Sequence, residues 1–105
     1  MAQVFDVSID INAAVAADVD AAVAAAAGLR LMGWAARETA GAVASAKIVH
    51  GATGAAGTLV VPIGLAADSC ATGWYAPEGI PMANGISIDH LAGSLDITLF
   101  YRVAT

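Results

Sequence analysis

Hydrophobic and polar residues alternate with a period of two along much of this chain. In VFDVSIDI, Phe5, Val7, Ile9 and Ile11 take the odd positions, and Asp6, Ser8 and Asp10 the even ones. Successive side chains of a strand point to opposite faces, so this pattern predicts a half-buried β-strand. SLDITLFYRV repeats it, with Leu95, Ile97, Leu99, Tyr101 and Val103 set against Ser94, Asp96, Thr98, Phe100 and Arg102. TLVVPIGL places Leu59, Val61, Ile63 and Leu65 on one face. Its Pro62 has no N–H to donate, which predicts an edge strand or a bulge. GISIDHL and SAKIVH read as shorter strands, and LRLMGWAARE as a longer one with both faces largely apolar.

Glycines mark the connections. HGATGAAG reads as a loop between two strands, and APEGIPMANG as an ordered irregular loop. Ala92-Gly93 predicts a tight hairpin between GISIDHL and SLDITLFYRV. Residues 12–28, NAAVAADVDAAVAAAAG, leave two readings open. Alanine content, Asn12 and Gly28 favour a short helix within 12–27. The branched residues stay on odd numbers and the acids on even ones, so Asp18 and Asp20 share one face of a strand but not of a helix. The strand reading is preferred.

About seven strands with Gly-bearing turns predict an all-β fold, an antiparallel β-sandwich of jelly-roll or immunoglobulin-like type. Residues 1–11 read as an N-terminal strand or arm, and residues 12–105 as a single sandwich domain.

Composition changes the picture in one respect. Of 105 residues, 59% are hydrophobic and 12% charged, against the ~25% charged of ordinary soluble domains. So few charges cannot cover the surface, which predicts burial against further copies or a partner. The net charge of −5 comes with four basic residues, Arg30, Arg37, Lys47 and Arg102. They are too scattered to track phosphates, so no nucleic-acid partner is expected. Asp18, Asp20 and Arg30 interrupt the most apolar run, which argues against a membrane span. MAQVFDVSID has no basic leader region, and a lone Cys70 cannot staple its own chain, so a cytoplasmic origin is expected. Cys70 itself reads as a small buried hydrophobe.

Candidate chemistry is sparse. His50 and His90 each end a strand with no ligand at metal-binding spacing, so no metal is expected. GATGAAG lacks the lysine of a phosphate loop, and no cofactor is implied. Glu38 and Glu78 are the two glutamates, and Glu78 sits in a Pro/Gly loop rather than across a cleft. A Ser69, His50 and Asp68 triad is a paper combination, and no catalytic role is expected.

Two groups of residues remain. Arg37 and Glu38 end one strand, and Lys47 and His50 lie on the next, joined by a turn around Gly41. On adjacent antiparallel strands these four would form a charge cluster that fixes register or touches a partner, with Glu38 pairing to Arg37, Lys47 or a neighbouring chain. Trp34 reads as core. Trp74 and Tyr75, at the mouth of the Pro/Gly loop, fit core or interface equally. With Pro77, Glu78 and Ile80, and with Phe5 and Val7 of the N-terminal strand, they make up the candidate interface.

The order of these pieces resembles small β-sandwich structural proteins of tailed-bacteriophage virions, of the capsid-decoration or minor-capsid kind. The matching residues are Leu31 to Trp34, Arg37-Glu38 with Gly41, Gly79-Ile80, Gly85 and Gly93-Ser94, within residues 29–103. The resemblance implies a virion component made in the host cytoplasm, with no catalytic residues. The leading expectation is a head decoration protein, a homo-oligomer (a trimer in its expected form) that clamps the major capsid protein, with residues 2–11 added as a strand to a neighbour's sheet. The alternatives are a receptor- or glycan-recognition module of a tail or fibre, with Trp74, Tyr75 and Pro77 as its platform, and a non-viral cytosolic binding domain.

Overall fold

The computed structural model describes residues 4–11, 18–75 and 77–103. Nine strands lie among them: β1 (Val4–Ile11), β2 (Val19–Val23), β3 (Arg30–Glu38), β4 (Ala44–His50), β5 (Thr58–Leu65), β6 (Cys70–Trp74), β7 (Ile80–Pro81), β8 (Ile86–Ala92) and β9 (Leu95–Arg102). The first sheet runs β1-β9-β3-β6, with the two-residue β7 also on β3, and the second runs β2-β8-β4-β5. Every pairing is antiparallel. Leaving aside β7, the chain begins in one sheet, crosses to the other and back, and ends between β1 and β3. This is the jelly-roll order. An immunoglobulin arrangement would keep the first two strands in one sheet.

The alternation read in the sequence is what builds the core. Leu95, Ile97 and Leu99 of β9 face Ile48, Ile63, Ile86 and Ile88 of the other sheet, and all are buried. Each such side chain contributes roughly 1.5–3 kcal/mol by leaving water. In β3 the inward parity changes from Leu31 to Trp34, Ala36 and Glu38. The pairing explains it: Leu31 stands opposite Tyr101 and Gly33 opposite Phe100, so Met32 is an inserted bulge residue. A strand with a bulge shows apolar residues at both parities, as LRLMGWAARE does. Pro62 lies on β5, an edge strand of the second sheet, as its missing N–H requires.

Several expectations are corrected. Ala92-Gly93 does not make a hairpin, because β8 and β9 belong to different sheets. Gly93, at φ +74°, turns the chain from one layer to the other. The strands β3 and β4 are likewise split between sheets, so the turn around Gly41 is a crossover. Residues 4–11 pair along their whole length with β9 of the same chain, which makes them a member of its own sheet rather than a donated arm. Of the alanine-rich segment, Val19–Val23 is a strand, while residues 12–17 lie outside the described residues. Cys70 is exposed, on the outer face of β6 opposite Arg37.

Candidate functional site

The outer face of the first sheet is built in rows by the register. Asp10, Asp96, Arg37 and Cys70 make one row, Ser8, Thr98, Ala35 and Thr72 the next, and Asp6, Phe100, Gly33 and Trp74 the third. The first two rows line a depression of 520 Å³. Its floor is low because Ala35 lies at the centre of the sheet between hydroxyl-bearing neighbours. Ser8 Oγ and Thr98 Oγ1 are 3.2 Å apart and share a hydrogen bond. Arg37 donates to Asp96 Oδ2 from Nε at 3.3 Å and from Nη2 at 3.2 Å. Asp10 stands directly across from Asp96. A hydrogen bond between the two carboxyls, then their mutual repulsion, raises the Asp10 pKa above its ordinary value.

From the third row inward, glycines and tryptophans are paired across the β3–β6 ladder. Gly33 opposes Trp74, and Trp34 opposes Gly73. A Cβ on Gly33 would overlap the six-membered ring of Trp74, and one on Gly73 would overlap Trp34 Nε1. Each glycine therefore gives its space to the tryptophan across the ladder, one on each face of the sheet. Trp34 is buried, and its Nε1 donates to Tyr75 Oη at 2.9 Å. Trp74 is 60% exposed and meets Phe100 edge-on, with ring centroids 5.9 Å apart.

The candidate interface is thus divided. Trp74, Pro77 and Glu78 are exposed, and the Glu78 carbonyl accepts from Arg30 Nη1 and Arg102 Nη2. Phe5, 43% exposed, packs on Tyr101 at the same end of the sheet, since Arg102 is the neighbour of both. Tyr75, Ile80 and Val7 turn inward and pack against the core.

The four residues Arg37, Glu38, Lys47 and His50 are not brought together. Arg37 belongs to the outer row above. Lys47 lies on the second sheet opposite Pro62 and Asp89. His50 Nε2 accepts from the Asn84 N–H at 3.0 Å. Glu38 points into the sandwich, 7% exposed. Its Oε1 accepts from the N–H groups of Asp68 at 2.8 Å and Gly41 at 2.9 Å, and Oε2 from that of Ala40. The Asp68 N–H, above all, lowers the Glu38 pKa, against the opposing effect of burial. A backbone bond from Glu38 N–H to the Ser69 carbonyl, and one from Thr39 to Ser94, complete the junction. Glu38 is the knot where the β3–β4, β5–β6 and β8–β9 connections meet. The local part of this arrangement, Glu38 with the Ala40 and Gly41 N–H groups, lies within the Arg37-Glu38-x-x-Gly41 stretch, whereas Asp68, Ser69 and Ser94 come from distant turns that the sequence does not connect to it.

The paper triad also separates. Ser69 Oγ donates to the Ala66 carbonyl, while His50 is engaged by Asn84. His90 Nε2 lies 2.6 Å from the Gly93 carbonyl. Sequence reasoning overlooked the pairing of Gly33 and Trp74. The signal was present: the dipeptide Gly-Trp occurs at 33–34 and again at 73–74, and antiparallel pairing sets each tryptophan across the other's glycine.

Compared with known proteins, the chain matches no family model and no curated protein sequence.

Proposed function

We propose that this protein is a structural component of a tailed-bacteriophage virion, a capsid decoration protein that binds the major capsid shell as a homo-oligomer and stabilises it. The observation that carries the reading is the set of large apolar side chains left outside by the two packed sheets. Val4, Phe5 and Trp74 stand towards one end, and Val43 and Leu91 at the crossover end. With 12% charged residues the chain has few groups to keep such patches comfortable in water. Seating the Val43 and Leu91 end on a shell buries those side chains, and an oligomer multiplies weak contacts into firm attachment. The resemblance over residues 29–103 and the jelly-roll order support the same reading, although a fold alone assigns no function.

Sedimentation of the purified protein, alone and mixed with empty capsid shells, tests the proposal. An oligomer that pellets with shells is the expected result. A strict monomer that stays in the supernatant overturns it. Density at a tail or fibre in images of the intact particle would favour the recognition-module alternative.

A further inference from the structure

We propose that the outer face of the β1-β9-β3-β6 sheet is a binding site for a neutral saccharide, with Trp74 as the platform for one sugar ring and the Ser8–Thr98–Thr72 depression as the seat of the next. The proposal goes beyond the shell reading and does not rest on it.

Three features converge. The first is an aromatic ring presented to solvent and held still. Trp74 is 60% exposed, yet its indole fills the space vacated by Gly33 and abuts the ring of Phe100. A tryptophan in such a seat offers a flat apolar surface at little entropic cost, the match for the C–H face of a pyranose. The second is an adjoining hollow of 520 Å³, within the ~300–1,000 Å³ typical of ligand sites. Its floor presents the hydroxyls of Ser8, Thr98 and Thr72 around the small Ala35. The third is a far wall of groups able to bind hydroxyls in both directions: Arg37 donates, while Asp96 and Asp10 accept. Gly33 and Arg37 lie four residues apart on one strand, so platform and wall are separated by roughly 13 Å at ~3.3 Å per residue.

Charge selects the ligand class. The hollow holds Asp10 and Asp96 against Arg37, while Arg30 and Arg102, on the same face, lie a row beyond Trp74 and Phe100 and donate to the Glu78 carbonyl. An acidic sugar seated in the hollow would meet two carboxylates against one guanidinium. A neutral polyol does not meet that penalty.

The test is an array of neutral, sialylated and uronic-acid-bearing oligosaccharides probed with the full chain, followed by titration of the best-retained neutral oligosaccharide. Wild-type protein should retain neutral glycans. Trp74→Ala should weaken binding about tenfold or more, as expected for the loss of an aromatic contact. Thr72→Lys, on an exposed edge-strand position, should block the hollow and abolish binding. Both variants should keep the wild-type thermal transition, because neither side chain is buried. Retention of no neutral glycan, preference for the acidic ones, or binding untouched by either variant overturns the proposal. Loss of shell co-sedimentation in Trp74→Ala without any glycan binding also overturns it, and assigns this face to the shell instead.

Discussion

The surroundings of the second sheet and the hollow on the first use their polar side chains in opposite ways. Around the second sheet, polar atoms are tied to backbone. Asp18 accepts from the His90 N–H and Asp20 from that of Gly54. Ser87, fully buried, donates to the Gly51 carbonyl and accepts from the Ala21 N–H. In the hollow of the first sheet, Ser8, Thr98, Arg37, Asp96 and Asp10 bond to one another, in solvent reach. A group bonded to backbone holds a loop in place and is occupied. A group bonded to an exposed side chain exchanges that partner at little cost. The difference separates architecture from a surface free to bind.

Substitutions can break the contrast. The largest effect is expected at Glu38, where Glu38→Gln leaves one acceptor oxygen for three backbone donors and turns an amide N–H towards one of them. Urea unfolding at several pH values should show the deepest midpoint loss of any variant here. Because the folded-state pKa of Glu38 is lowered, its contribution is present above the unfolded value and is lost as pH falls through the folded one. The variant should therefore lose part of the acid limb of the stability profile.

Next comes Ser87→Ala, which strips the buried Ala21 N–H of its acceptor and the Gly51 carbonyl of its donor. A cost of about 1–3 kcal/mol is expected in chemical denaturation. A change of similar size is expected at Gly33→Ala, whose added Cβ also lies 2.8 Å from the Gly73 carbonyl oxygen. Its new methyl displaces the Trp74 indole, so tryptophan emission should shift red and acrylamide quenching should rise. Smaller than these is Arg37→Ala, whose partner pair is largely exposed. It should change stability by less than about 1 kcal/mol.

Asp10 sharpens the comparison by its sign. Its raised pKa means that the folded state loses stability as pH rises from the unfolded value through the folded one. Asp10→Asn should remove that loss, giving a modest gain at neutral pH and none in acid, the reverse of Glu38→Gln.

Much of the fold was legible. The period-two pattern located β1, β5, β8 and β9, and Pro62 placed β5 at an edge. Sheet membership was not legible. Alternation tells which residues share a face but not which layer a strand joins, so the crossings at Gly41 and Gly93 looked like hairpins. CATGW escaped because its inward positions, Ala71 and Gly73, are too small to show a pattern. The site was half visible. Trp74 stood out as an anchor, but its true neighbours, Gly33 and Phe100, are set by pairing across the sheet. Tyr75, which fitted core or interface equally, and Ile80, assigned to the interface, both pack against the core.

The placement of β9 between β1 and β3 has a consequence in time. At the centre of the first sheet lies β9, synthesised after the other eight strands described, and Val4 must wait for Arg102 before its register exists. Until then β1 and β3 have no partner between them, and the most separated parts of the sequence must meet late. Such wide loop closure places folding among the slow topologies, in the range of roughly milliseconds to seconds. A nascent chain halted before Leu95 would present two unpaired strand edges, the state in which this charge-poor protein is most exposed to aggregation.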